Sequence, residues 1–305
     1  MSGNTITVIL DVGLINGLIL AWAVVALAVA FRLLHFPDVT VEGSLPLGAA
    51  TYAACTVAGM PLWIAVIVAA FAGAMAGALT ALLHARFRLN KFLAGIIVVS
   101  VTYSVMLRVM GGPNIGLLSH GNPLDTARGF AFIGSMHLGL LGLLSLTVLA
   151  GCAVVVLLLV TRIGTKLRAV GSNPTYARSI GLNTSLYLIV GLAMTNSLAA
   201  LSGVALAMNQ GFADISLGQG VLVLCLAAMT LGEVILPKRL FDNYVVFVVV
   251  AGVVGSSLFQ CVTVWALRAG ISPTDLKLAT AVIVLVLVAA KLTNDRSLIA
   301  GREFD

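Results

Sequence analysis

Two groups of residues in this chain have the types and spacing for chemical work, and neither is a catalytic constellation. The first is a set of polar side chains inside or at the ends of long apolar runs: Asn16, Asp38, Ser44, Asn196 and Asp214. Polar groups at such positions are costly unless paired and tend to mark the route of a solute, so these five are candidate translocation-path residues. Asn16 and Asn196 have the stronger claim, because an amide does not satisfy itself as readily as a hydroxyl. Ser100, Thr102, Ser104, Ser197 and Ser202 are expected to bond backbone carbonyls or neighbouring helices; Tyr103, Asn209 and Gln210 complete the polar inventory. Asp38 and Asp214 each precede a short apolar run. A carboxylate there is stabilised by free N–H groups and the helix dipole, so capping is the preferred reading and gating the second.

The other group lies in TRIGTKLRAVGSNPTYARSIGLNTS, residues 161–185. Asn173-Pro174 is a helix start, with Asn at the N-cap and Pro at the first helical position. Gly181 suits the left-handed residue after the last turn. A two-turn helix over 174–180 follows, too short to stand without a surface to dock on. Tyr176 and Ile180 share one face of it, and Arg178 points elsewhere, where it can reach an acidic partner. The remainder of 162–184 reads as a basic loop.

Enzymatic and metal chemistry lack their parts. Cys55, Cys152, Cys225 and Cys261 lie in apolar runs with no Cys-x-x-Cys, and His35, His84, His120 and His137 show no metal spacing, so no metal and no catalytic residue are assigned. A phosphate-wrapping loop needs GxxxxGK[ST]; Gly164-Thr165-Lys166 is the nearest string and lacks the pattern, while Leu201-Ser202-Gly203 sits in an apolar run as helix packing. No cofactor is expected in this chain.

The elements that must position these residues are membrane spans. Of 305 residues, 60% are hydrophobic and 9% are charged, against about 25% charged in an ordinary soluble domain. A soluble enzyme, a disordered chain and a nucleic-acid-binding domain are excluded, and unbroken apolar runs exclude a β-barrel. The fold class is all-α, a polytopic transmembrane helical bundle forming one domain over 1–305. Apolar runs fall at about 9–31, 44–57, 62–83, 92–110, 139–161, 185–208, 219–231, 241–262 and 275–291. Seven are near the 20 residues needed to cross. The runs 44–57 and 219–231 are too short to cross unaided and read as broken or re-entrant helices, tolerated only where protein or water surrounds their ends.

With the N-terminus outside and the C-terminus cytoplasmic, Arg32, Arg86, Arg88, Lys91, Arg162, Lys166, Arg168, Arg178, Lys238, Arg239, Lys291, Arg296 and Arg302 lie inside. Arg128, Arg268 and Lys277 lie outside, and Arg108 snorkels near the outer end of its span. Cytoplasmic loops retain cations, so the net charge of +6 is topological and does not signal nucleic acid. Glu233 is expected to pair with Lys238 and Arg239 or to face a cytosolic partner. The outer stretch 111–138 is rich in Gly, Pro and Asn and long enough to be a docking surface.

An internal repeat is present. Phe36-Pro37-Asp38-Val39-Thr40-Val41 matches Phe212-Ala213-Asp214-Ile215-Ser216-Leu217, and each follows a span with one Asn and precedes a short run. Repeat one covers about 9–110 and repeat two about 185–291. The hexapeptides face opposite sides, so the halves are inverted repeats of the kind alternating-access transporters use. Gly13/Gly17 and Gly73/Gly77 allow close helix approach, expected within the bundle.

RAVGSNPTYARSIGLN resembles the cytoplasmic loop of ATP-binding-cassette importer permeases, in the branch serving branched-chain amino acids, ribose and related solutes. FPDVTVEGSLPLGAA is similar to the first-repeat motif of that branch, and LSGVALAMNQGFADISLGQG to the second. The resemblance spans roughly 9–291 and looks strongest to a tryptophan/tyrosine-type subgroup. It implies the membrane subunit of an importer of a small, amino acid-like solute in the bacterial inner membrane. It also implies a homodimer, two cytosolic ATPase subunits that bind the ATP, and an extracytoplasmic solute-binding protein. By the same resemblance Gly171, Asn173, Ala177, Arg178 and Gly181 belong to the ATPase-coupling element, which Pro174 and Tyr176 join as residues of the same short helix. The alternative is an ion-coupled secondary transporter, which needs an ion site that the spans do not offer. An intramembrane enzyme would need a carboxylate, His or metal cluster at the midplane.

Overall fold

The computed structural model describes residues 3–118, 121–129, 132–133, 136–272, 275, 278 and 282. The run 275–291, the tail cations Lys291, Arg296 and Arg302, Lys277 and His120 lie outside the described residues, those three single positions apart.

α1 (Gly3–Ala28) runs on through a π-turn at Val29–Leu33. α2 (Val41–Val57), α3 (Leu62–Phe87) and α4 (Lys91–Met110) complete the first half. The 111–138 stretch holds β1 (Asn114–Gly116), α5 (Pro123–Arg128), β2 (Phe132–Ile133) and β3 (Met136–His137). α6 (Leu138–Val160), α7 (Arg162–Ser172) and α8 (Pro174–Ser179) lead into α9 (Thr184–Gln210). β4 (Phe212–Asp214), a 3₁₀ turn at Ile215–Gly218, α10 (Val221–Ile235) and α11 (Tyr244–Arg268) follow. Boundaries fall where local chemistry puts them. Asn90, Asn122, Asn173, Asn183 and Asn243 each cap a helix by accepting a bond from a first-turn N–H.

Among the described residues, seven segments are long and apolar enough to cross a membrane: Ile6–Leu33, Leu62–Phe87, Lys91–Met110, Leu138–Val160, Thr184–Gln210, Ile215–Ile235 and Tyr244–Arg268. The second short run is a short helix, as expected: α10 has 15 residues, and extended Gln219 and left-handed Gly220, at φ +82°, separate it from the 3₁₀ turn, the whole stretch having 21 residues. The first short run is α2, with 17 residues and Pro46 inside it. Most of α2 is buried by its neighbours, which supplies the surroundings a prolyl helix needs at membrane depth.

The two halves grip each other crosswise. The long first helix of each half packs most extensively on the third helix of the other, α1 on α11 and α9 on α3. Glycines make the crossings close. A Cβ on Gly77 would lie 2.0 Å from the Leu192 carbonyl oxygen, and one on Gly17 would lie 2.5 Å from Ser257 Cα. Both Gly-x-x-x-Gly pairs therefore serve packing inside the chain, as expected. Ser256 Oγ donates to the Gly17 carbonyl at 2.7 Å and Ser202 Oγ to the Ile19 carbonyl at 2.9 Å, adding polar bonds to the same contacts. α1 is the centre of the bundle, whereas α3, α4 and α6 turn large apolar side chains such as Trp63, Phe71, Ile96, Leu146 and Leu157 outward, the surface a bilayer covers.

The 162–184 segment departs from its reading as a loop. Arg162–Ser172 is helical, with Gly164, Leu167 and Val170 buried three apart and Arg162 and Lys166 exposed. The cations mask an amphipathic pattern of helical period.

Candidate functional site

Three of the five polar path candidates converge on one buried point. Asp38, Ser44 and Asn196 are all inaccessible to solvent. Asn196 Nδ2 donates to Asp38 Oδ2 at 2.6 Å and to the Leu192 carbonyl at 2.9 Å, while its Oδ1 accepts from Ser44 Oγ at 2.6 Å. Thr40 N–H donates to Asp38 Oδ1 at 2.9 Å, and the Thr40 and Thr80 hydroxyls pair at 2.7 Å. Complete burial raises the Asp38 carboxyl above its ordinary value, opposed by the bonds from Thr40 and Asn196. The network ties the start of α2, the third helix α3 and the middle of α9 together. In this conformation it is a joint, and the three residues do not line an open route.

Asp214 is placed apart. It caps the 3₁₀ turn by accepting from Ser216 N–H at 2.6 Å and from the Ser216 hydroxyl. Asp38 to Thr40 and Asp214 to Ser216 are the same local turn, which fits the hexapeptide match, but only Asp38 is drawn into a long-range network.

Asn16 lines a different feature, a cavity of about 570 Å³ between α1, α9, α10 and α11. Gln210, Gln219, Gln260 and Thr263 share its wall with Leu20, Leu206 and Phe259. Among the described residues none of the four amides has a hydrogen-bond partner. Gln260 is the telling one, because only 6% of it is exposed. Its amide atoms open onto the cavity, where they can bond water or a polar guest. The cavity carries no charged group. Its amides offer both donors and acceptors. Gln219, Gln260 and Thr263 were missed in the sequence; a search for amides within the apolar runs finds Gln260, whereas Gln219 and Thr263 sit at run ends.

At the end where the cations gather, α8 is a capped helix with Tyr176 and Ile180 both exposed. Asn173 Oδ1 accepts from Tyr176 N–H at 2.9 Å, and Gly181 takes φ +82°. Arg178 Nε donates to Thr184 Oγ1 at 3.0 Å, which joins α8 to the first residue of α9. Ala177 is fully buried, and Gly171 lies against the Leu34 backbone, where a Cβ would come within 2.7 Å. Of the coupling set, then, Tyr176 is free to meet a partner, Gly171 and Ala177 are packing residues, and Asn173, Pro174 and Gly181 shape the helix.

Glu233 pairs with Arg32, not with Lys238 or Arg239 in the described contacts. The guanidinium makes two bonds of 2.6 Å to its carboxylate. Arg32 lies on the π-turn of the first half and Glu233 on α10 of the second, so the pair joins the halves at the basic end. At the opposite end Asp11 accepts from His137 N–H at 2.9 Å and meets His137 Nδ1 at 2.7 Å. There β1 pairs antiparallel with β4, Asn114 opposite Asp214. Arg128 on α5 donates to Asn209 Oδ1 at 2.6 Å, and Asn122 donates to the Met208 carbonyl. The 111–138 stretch is thus fastened over the end of α9. The hydroxyls of Ser100, Thr102, Ser104 and Ser202 all donate to backbone carbonyls, as expected.

The chain is similar to known proteins. Residues 9–289 match the family described as branched-chain amino acid transport system / permease component. The chain is 32% identical over 286 residues to the tyrosine transport system permease protein of Clostridioides difficile (strain R20291), covering 92% of this chain and 90% of that protein. It is 29% identical over 287 residues to an uncharacterized protein of Rickettsia prowazekii (strain Madrid E), covering 94% and 99%. Among solved structures, PsaBC from Streptococcus pneumoniae in complex with Fab aligns with a TM-score of 0.48 at 14% identity, over 92% of this chain and 90% of that one. The chain belongs to the permease components of branched-chain amino acid transport systems, and it is a multi-pass transport subunit, the membrane-spanning permease of an ATP-binding-cassette importer.

Proposed function

We propose that this permease carries a small neutral or zwitterionic, amino acid-like solute inward, and that the cavity around Asn16 and Gln260 takes the solute during passage. The unpaired, nearly buried Gln260 in an uncharged amide-lined cavity carries this reading. Amides bond a carboxylate through N–H and an ammonium through C=O without demanding net charge. The volume of about 570 Å³ falls in the range of small-molecule sites, about 300–1,000 Å³. The name of the Clostridioides difficile relative, a tyrosine transport system permease protein, makes tyrosine the first solute to try.

The chain works as a homodimer in a bacterial inner membrane, with the N-terminus outside, the basic end in the cytoplasm and a solute-binding protein delivering from outside. ATP is bound and hydrolysed by two cytosolic ATPase subunits that dock on Tyr176 of α8 and on Ile180 just after it. α9 carries the motion. Its first residue is held by Arg178, its middle by Asp38 and Ser44 through Asn196, and its last residue, Gln210, faces the solute cavity. A 27-residue helix spans about 40 Å at 1.5 Å per residue, so a push on α8 reaches the cavity through one rigid element. Closing the ATPases then biases which side is open.

The test is uptake of labelled tyrosine and other neutral amino acids into vesicles holding the assembled transporter. ATP-dependent uptake lost in Gln260→Leu supports the reading. Uptake that survives ATP depletion and collapses with an ion gradient would establish the ion-coupled alternative instead.

A further inference from the structure

A second cavity, of about 430 Å³, lies at the basic end between the α3–α4 corner, the segment after α1, and α7, α8 and the start of α9. Arg88, Lys91, Arg178 and His84 line it, and its wall contains no Asp or Glu. Retention of cations on one side of a membrane explains how many Lys and Arg lie at this end. It does not explain why three of them, from separate elements, converge on one cavity with no counter-charge.

Their bonding leaves charge unspent. Arg88 has no hydrogen bond or ion pair among the described residues. Arg178 uses Nε on Thr184, and no described acceptor meets its two terminal nitrogens. Lys91 Nζ donates to the His35 carbonyl at 2.9 Å and lies 5.3 Å from the Phe36 ring centre, which leaves two of its protons. The backbone is strained at the same place. His35 and Arg88 take φ +49° and +55°, and they are the non-glycine residues with positive φ among those described. Such conformations cost about 1–3 kcal/mol each and persist where function or packing over-determines them. Arg88 lines the cavity, and His35 lies between two of its lining residues, Leu34 and Phe36.

We propose that this cavity binds a phosphate-bearing anion, held by Arg88, Lys91 and Arg178. Guanidinium groups match phosphate oxygens in pairs, and basic pockets on the cytoplasmic side of membrane helices suit anionic headgroups. A phosphodiester here bridges the α3–α4 corner to α8 and so clamps the coupling helix against the spans. A phospholipid headgroup and a soluble phosphate share this chemistry. The inference does not rest on the solute or the direction of transport.

The experiment uses the purified full chain in nanodiscs of phosphatidylcholine alone or with one quarter phosphatidylglycerol. Retained lipid is read by native mass spectrometry, and inorganic phosphate is titrated into the neutral discs with thermal unfolding as readout. A phosphatidylglycerol-to-phosphatidylcholine ratio in the retained lipid about tenfold above that of the disc, lost in the double variant Arg88→Gln/Lys91→Gln, identifies the lipid source. A phosphate-dependent rise in unfolding temperature that the same variant abolishes identifies the soluble source. Arg108→Gln, at the far end, should change neither. If the double variant does not fold, Lys91→Gln alone is read the same way. Parent and variant behaving alike toward both anions would overturn the proposal.

Discussion

Asn196 satisfies both atoms of its amide inside the membrane, and Asp38 depends on it. Replacing Asn196 with Leu leaves a buried carboxylate short of a donor and should lower stability by about 2–4 kcal/mol, whereas Ser44→Ala should cost about 1 kcal/mol. Thermal unfolding in detergent checks both, and an unchanged midpoint for Asn196→Leu would remove the joint. Gln260→Leu should behave in the opposite way. No hydrogen bond is lost, so the unfolding midpoint should hold or rise. Uptake should fall at least about tenfold, the equivalent of 1.4 kcal/mol of lost solute contact. These two outcomes separate a structural amide from a solute-facing one. The sequence made Asn16 and Asn196 look alike, since both are lone Asn residues in long spans ahead of a matching hexapeptide. Only the fold tells them apart, because the side-chain partners of Asn196, Ser44 and Asp38, lie 152 and 158 residues away, a separation no local pattern encodes.

At the scale of elements, α9 connects everything the mechanism uses, and its crossing with α3 must be close for that to work. Gly77→Val puts a branched side chain where the Leu192 carbonyl oxygen lies 2.0 Å from an ideal Cβ. Overpacking of this kind costs about 1–3 kcal/mol or more, read as a lower unfolding temperature and weaker expression; a fully stable variant would show that the helices do not meet there. On α8, Tyr176→Ala should preserve membrane insertion and stability, because the side chain is exposed, yet break stimulation of ATP hydrolysis by loaded binding protein. Unchanged stimulation would remove the docking assignment. α8 was legible from Asn-Pro at one end and Gly at the other, since caps are local chemistry. α7 was not, because Arg162, Lys166 and Arg168 draw attention to charge and away from the buried spacing of Gly164, Leu167 and Val170. The Ser-Leu-Gly-Gln-Gly stretch reads as a break and is one, since Gln219 is extended and Gly220 left-handed between the 3₁₀ turn and α10.

At the scale of the whole molecule, composition alone established a helical membrane protein, whereas the crosswise packing of α1 on α11 and α9 on α3 has no signal in the hexapeptide match. What composition does not carry is the long-range closure of each end, by Arg32 with Glu233 on one side and by Asp11 with His137 on the other. Sidedness is open to direct measurement. With the four native cysteines replaced, a cysteine at Arg239 should react with an impermeant maleimide only from the cytoplasmic face, and one at Asp125 only from outside; the reverse pattern would invert the arrangement. The central claim is that this chain is a permease driven by partner ATPases, and co-purification tests it most directly. The tagged protein, extracted from its own membranes in mild detergent, should travel with a P-loop ATPase at one copy per permease chain, detected by mass spectrometry of the intact complex. A reproducible ATPase-free oligomer in lipid-preserving extraction would contradict the account.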